Sequence, residues 1–182
     1  MIPAFPEGKY SISRQPSKHI KPASPYRQQP TLPATPVVRG LFVMESTMKI
    51  HRETILPLPE PFYEVLERQL AALNHPNLNI VTFNYRDPDY SADNGGYHPV
   101  EINLYRQGEF WYLSYFTDFA YCGGPFPELE KEMEVLFQEK QVYNSFFGRC
   151  YLEHADSLVR LLLENFCNYI KMEVYQVQVS TD

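Results

Sequence analysis

Cysteine is scarce in this 182-residue chain, and Cys122, Cys150 and Cys167 are odd in number and fall in no Cys-x-x-Cys spacing. Neither a disulfide framework nor a zinc-binding set is implied, so free thiols in a reducing compartment are expected. Long apolar runs are missing too. No stretch approaches the ~20 apolar residues that span a bilayer, and the opening MIPAFPEGKY has no signal-peptide apolar region. A soluble, cytoplasmic protein with no membrane partner is the expectation. The common catalytic signatures GxSxG, HExxH, the phosphate-binding GxxxxGKS/T and a Cys-His pattern are all absent, and no cofactor is indicated. Positive charge is also in short supply, with 16 Lys and Arg against 22 Asp and Glu. Residues 1–47 hold six of the basic residues and only Glu7 and Glu45, leaving 10 basic and 20 acidic residues beyond them. So acidic a surface repels phosphate backbones, and nucleic-acid binding by the folded part is not expected.

Half of the 16 prolines fall within residues 1–36, among Ser, Gln, Lys and Arg. Each removes a backbone donor and blocks a helix, so residues 1–47 read as a disordered, basic, Pro-rich tail. Globular patterning begins near Lys49, which leaves Met44 or Met48 open as an alternative start. An apolar content of 44% supports a real core in one domain over residues 48–182.

Within that domain, EPFYEVLERQLAAL sets Phe62, Val65, Leu66, Gln69 or Leu70, and Leu73 on one helical stripe, with Pro61 in the first turn. A strand follows over 78–86, with Val81, Phe83 and Tyr85 on one face. Residues 99–124 read as a hairpin that closes on Gly123-Gly124 and turns at Gln107-Gly108, which pairs Leu104 with Trp111, Ile102 with Leu113 and Val100 with Tyr115. In that register Tyr105, Phe110, Tyr112 and Phe116 share the other face. Met133, Val135 and Phe137 fit either a helix or a strand. The antiparallel partner QVYNSFF favours a strand over 131–138. A long helix then aligns Leu158, Leu161, Leu162, Phe166 or Asn165, Tyr169 and Ile170, and VYQVQVS closes the chain as a strand with one wet face. Strands grouped between two helices, without βαβ alternation, imply an α+β fold with a largely antiparallel sheet of five to six strands.

Candidate chemistry concentrates at the loop 87–98. Asp87, Asp89 and Asp93 are the ligand type that a hard cation takes, but they lack EF-hand spacing, and Asp, Asn, Gly and Pro are what turns are made from. A structural turn is the favoured reading. Glu101 and Asp118 suggest an acid and base pair, yet the expected register puts Asp118 opposite Tyr97, about 13 Å along the strands from Glu101 at ~3.4 Å per residue. His98, placed near Thr117, can donate, accept or titrate, or simply anchor the loop. Arg86 reads as an anion clamp or as an ion-pair partner of Asp87. If no helix covers the aromatic face, Tyr112 and Phe116 become binding residues.

The segments RDPDYSADNGGYHPVEINL, TDFAYCGGPFPEL and NFCNYIKMEVYQVQVS together resemble a family of proteins from gram-negative bacteria known as a domain of unknown function. The likeness spans Met48 to Ser180 and implies a bacterial cytoplasmic domain, with no catalytic residue carried over. Glu173 departs from the glycine expected before Val174-Tyr175. Two readings of function follow. The first is a non-catalytic binding or interaction domain using Tyr112 and Phe116, with a protein or a second copy of the chain as partner. The second is a small enzyme or ligand-binding protein using His98 and Arg86, with or without a cation at the Asp residues.

Overall fold

The computed structural model describes residues 49–73, 77–123 and 125–181. The Pro-rich tail and the alternative starts lie outside them. Among the described residues, eight strands and two α-helices appear in the order β1 (Lys49–Ile50), α1 (Glu60–Leu73), β2 (Ile80–Arg86), β3 (Val100–Gln107), β4 (Phe110–Cys122), β5 (Glu128–Leu136), β6 (Gln141–Asn144), β7 (Gly148–Tyr151), α2 (Asp156–Lys171) and β8 (Gln176–Thr181). The sheet runs β7-β6-β5-β4-β3-β2-β8, antiparallel throughout, with β1 parallel to the start of β4. The α+β class is as expected. The strand count is higher, because two-residue β1 and four-residue β7 are too short to show a period.

Both helices cover one face. Phe62 of α1 and Phe166 of α2 each meet Phe116 of β4, at ring separations of 6.1 and 5.6 Å. Around them Val81, Phe83, Tyr85, Ile102, Leu104, Trp111 and Val135 are buried. At ~1.5–3 kcal/mol for each large apolar side chain removed from water, this layer is the dominant stabilising element. Helix α1 buries Phe62, Val65, Leu66 and Leu70 of the expected stripe, plus Tyr63, with Leu73 half-buried. Helix α2 is turned from the expected face: Val159, Leu163, Phe166 and Cys167 are buried, while Leu158 and Leu161 are exposed. Apolar residues on both sides of α2 permit two stripes, and packing against Tyr85 and Phe116 selects one.

The hairpin differs from expectation in two steps. Its turn is Gly108-Glu109, flanked by the pair Gln107 and Phe110. Gly108 takes φ 64° at the first central position, where tight hairpin turns need a positive φ that glycine adopts without strain. Leu104 therefore faces Leu113 rather than Trp111. That change spans an even number of positions and leaves every side chain on its expected face, which is why the apolar agreement survives. A β-bulge at Ser114 then inverts the alternation, so Ile102 pairs with Phe116 and Asn103 with Tyr115. Ile102 and Leu113 share the core as expected. Phe116 moves from the outer face into the core, fully buried.

A second bulge lies across the sheet. Asp118 pairs with Met133 and Phe119 with Lys131, leaving Glu132 as the extra, unpaired residue of β5. Strand 128–136 agrees with the strand reading, and β6 is its antiparallel partner. At the end of α2, Val174 N–H reaches Tyr169 C=O (3.4 Å) and Glu173 N–H reaches Ile170 C=O (3.1 Å), the Schellman pattern. Glu173 holds the left-handed position at φ 58°, so the tight turn forms without the glycine.

Candidate functional site

The loop between β2 and β3 is built on Asp87. One carboxylate oxygen accepts the Asp89 N–H (2.9 Å), the other accepts the Tyr97 N–H (2.9 Å), and Tyr90 N–H closes a turn onto the Asp87 carbonyl. Gly96 passes directly over this clip with φ 127°. A Cβ there would lie 2.9 Å from Asp87 Oδ2 and 3.1 Å from Tyr90 Cα, so only glycine fits. Both oxygens of Asp87 are thus engaged by loop amides, while Asp89 and Asp93 are exposed at the tip. This is turn chemistry.

The clip delivers His98 to the core side of the sheet. Its Nδ1 lies 3.2 Å from Asp118 Oδ2 and 3.1 Å from Glu132 Oε2, and Tyr175 donates its hydroxyl to the His98 carbonyl at 2.9 Å. The expected neighbour Thr117 is instead on the opposite face, where its hydroxyl donates to Glu134 (3.2 Å). The shift follows from the Ser114 bulge, which pairs Asp118 with Val100. Glu132 reaches the same point because the second bulge releases it from strict alternation. The Asp118 hydrogen bond, opposed by partial burial and reinforced by the charges of Asp118 and Glu132, raises the His98 pKa above its ordinary 6.5. Tyr90 lies beside His98, its ring tilted at 56° with centroids 5.4 Å apart.

Behind this triad lies a cavity of about 320 Å³, bounded by His98 and Asp118, by Tyr97 of the loop, by Asn165 and Tyr169 of α2 and by Tyr175. Phe116 and Phe166 back it. Tyr97 meets Tyr169 edge to face at 4.7 Å, and burial together with Asp118 pushes the Tyr175 hydroxyl well above the usual tyrosine range, so it stays a donor.

Of the residues singled out by sequence, His98 and Asp118 converge here. Arg86 and Glu101 do not. They project from the opposite face, where Arg86 Nε donates to Asn84 Oδ1 (2.5 Å) rather than pairing with Asp87, and Glu101 accepts from Asn84 (2.9 Å) and from Tyr115 (2.8 Å). Burial and the Glu101 carboxylate push the Tyr115 pKa up to about 12. Glu101 and Asp118 are therefore separated by the sheet itself, a stronger reason than distance for rejecting an acid and base pair. Tyr112 stays on the outer face, stacked on His51 (4.7 Å) and Tyr105 (5.4 Å). Sequence reasoning missed Glu132, Tyr97, Asn165, Tyr169 and Tyr175. Unbroken alternation of Leu129, Lys131, Met133 and Val135 hides the bulge that frees Glu132. The tyrosines were readable only as core or strand-face residues.

Residues 60–180 match the family model described as "Protein of unknown function (DUF2787)". The chain belongs to this DUF2787 family. Its fold is shared with two solved structures from Vibrio cholerae. The hypothetical protein VC0508 of the VSP-II pathogenicity island is 30% identical with a TM-score of 0.68, covering 74% of this chain and 99% of that one. The conserved hypothetical protein VC1805 of pathogenicity island VPI-2 is 33% identical with a TM-score of 0.63, covering 70% and 97%, and is described as sharing structural homology with the human P32 protein. No curated protein matches the chain. Among the described residues, no helix is long and apolar enough to cross a membrane.

Proposed function

We propose that this DUF2787 domain is a binding protein for a compact organic molecule, seated in the cavity between the 87–99 loop and the C-terminal half of α2. The observation that carries this reading is convergence: a clipped loop, strand β4, helix α2 and the segment before β8 each bring a polar or aromatic side chain to one concavity. Its volume falls within the range of small-molecule sites, ~300–1,000 Å³. Tyr97, Tyr169 and Tyr175 offer flat ring surface for stacking, with hydroxyls at the ring edges. His98 and Asp118 meet the polar end of the ligand.

The test is amide-resolved NMR with a fragment set of aromatic amines, alcohols and carboxylates. Saturable shifts at Tyr97, Tyr169 and Tyr175, lost in a folded Tyr169→Leu variant, are expected. Absence of any such fragment, or equal binding by the variant, overturns the proposal.

A second reading has its own observation. On the face that no described helix covers, His51, Tyr105 and Tyr112 form a stacked row beside Phe110, which is 41% exposed. Such a row suits a protein partner or a second copy of the chain. Tyr112→Ala then lowers the mass measured by light scattering or abolishes partner capture. Phe116, buried in the core, takes no part.

A further inference from the structure

His98 and Asp118 at the cavity wall, together with Glu132, have a geometry that hydrogen bonding alone does not use fully. His98 Nδ1 stands 3.2 Å from an Asp118 oxygen and 3.1 Å from a Glu132 oxygen, and one ligand atom from each of the three lies within 4.8 Å of the other two. A proton satisfies such a set only in part, because Nδ1 carries one hydrogen and two carboxylates contend for it. A metal ion engages all three. For bonds of about 2.1 Å, two ligand atoms are separated by ~3.0 Å when they subtend a right angle and by ~3.4 Å at the tetrahedral angle. The observed 3.1 and 3.2 Å lie between those limits.

The backbone arrangement points the same way. Asp118 is in the regular part of β4 paired with Val100, His98 is set by the Asp87 clip and the Tyr175 bond, and Glu132 is the surplus residue of the β5 bulge. Bulges re-aim side chains at sites of function. Here a residue that regular pairing would turn away joins the other two. No other His, Cys, Asp or Glu set of this kind occurs among the described residues.

We infer that His98, Asp118 and Glu132 form a binding site for a first-row divalent transition ion. One imidazole and two carboxylates make a mixed nitrogen and oxygen set that suits Mn²⁺, Fe²⁺, Co²⁺ or Zn²⁺ over Ca²⁺ and Mg²⁺, which take oxygen alone. Three protein ligands leave coordination positions open, the pattern of a site that also takes water or a ligand atom. Two carboxylates against a dication give a locally neutral site once the imidazole has lost its proton. This ion site stands on its own geometry and does not require that the cavity hold an organic molecule.

Titration calorimetry of the full chain, freed of metal with EDTA and exchanged into neutral buffer, tests it with Zn²⁺ and Mn²⁺ as probes and Mg²⁺ as control. Saturable 1:1 binding of Zn²⁺ or Mn²⁺ is expected, at least a hundredfold weaker in Asp118→Asn and in Glu132→Gln. Glu132 does not border the cavity, so Glu132→Gln removes the ion while the fragment shifts measured in EDTA remain. Mn²⁺ should also broaden the His98 ring signals in the wild-type protein, a readout independent of any substitution. No saturable binding, unchanged affinity in Glu132→Gln, or Mn²⁺ broadening centred elsewhere overturns the inference. Fragment binding in EDTA without ion binding leaves the cavity reading standing and removes only the ion.

Discussion

Strand β4 carries two interruptions of its pairing, and they serve different ends. At Ser114, between β3 and β4, an extra residue restores packing: it turns Phe116 inward to meet Phe62 and Phe166 and sends Tyr115 outward to Glu101. At Glu132, between β4 and β5, an extra residue builds a polar cluster, bringing a second carboxylate to His98. One device thus feeds the core in one place and a polar cluster around His98 in the other. What decides is the chemistry of the residue that the shift re-aims, an aromatic ring in the first case and a carboxylate in the second.

The largest expected effect breaks the first half of this comparison. Phe116→Ala should cost ~3–5 kcal/mol, as a fully buried ring in an aromatic cluster, and Tyr112→Ala about 1 kcal/mol or less, as a stacked outer-face residue. Urea denaturation of the two variants checks this. Equal losses would mean that the Ser114 bulge does not separate the two rings. Next in size is Gly96→Ala, where a methyl group driven toward the Asp87 carboxylate at positive φ should cost ~1–3 kcal/mol and weaken cavity binding, since Asp87 anchors the loop carrying His98. Smaller, and of opposite sign, is Glu173→Gly. Relieving a left-handed non-glycine residue should stabilise by ~0.5–1 kcal/mol.

The pH dependence sharpens the second half. The folded-state pKa of His98 is raised, so the stability that its partners contribute is fully present below its ordinary value of 6.5 and is lost as pH rises through the folded pKa. The stability difference between wild type and Asp118→Asn should therefore be larger at pH 6 than at pH 9. A difference that grows with pH would contradict the assignment.

The same two bulges mark where sequence reading worked and where it stopped. Helix α1, strands β2 and β8 and the hairpin faces as far as Leu113 follow from periodicity, because regular elements repeat their burial at fixed spacing, while the strand character of β5 follows from the partner strand after it. Even a misplaced turn was harmless, since it changed the pairing by an even number of positions. Beyond Ser114 the alternation inverts, and everything inferred from it inverts too: Phe116 goes in, and Asp118 arrives beside His98. A single added residue leaves no trace in composition or period. In the candidate site, His98 was legible as the one titratable group at the mouth of the hairpin, and the Asp-rich loop as a turn. Glu132, Asn165 and the three tyrosines were not, for they meet only when helix α2 and the middle of β5 are folded against the loop.

The most direct test of the account is an NMR titration of the His98 ring in metal-free protein, for wild type, Glu132→Gln and Asp118→Asn. The structure predicts a wild-type pKa above 6.5, lowered in Glu132→Gln and lowered further in Asp118→Asn, where the leading hydrogen bond is lost. A wild-type value at or below 6.5, or one that Glu132→Gln leaves unmoved, would show that the second bulge does not bring its carboxylate to the histidine.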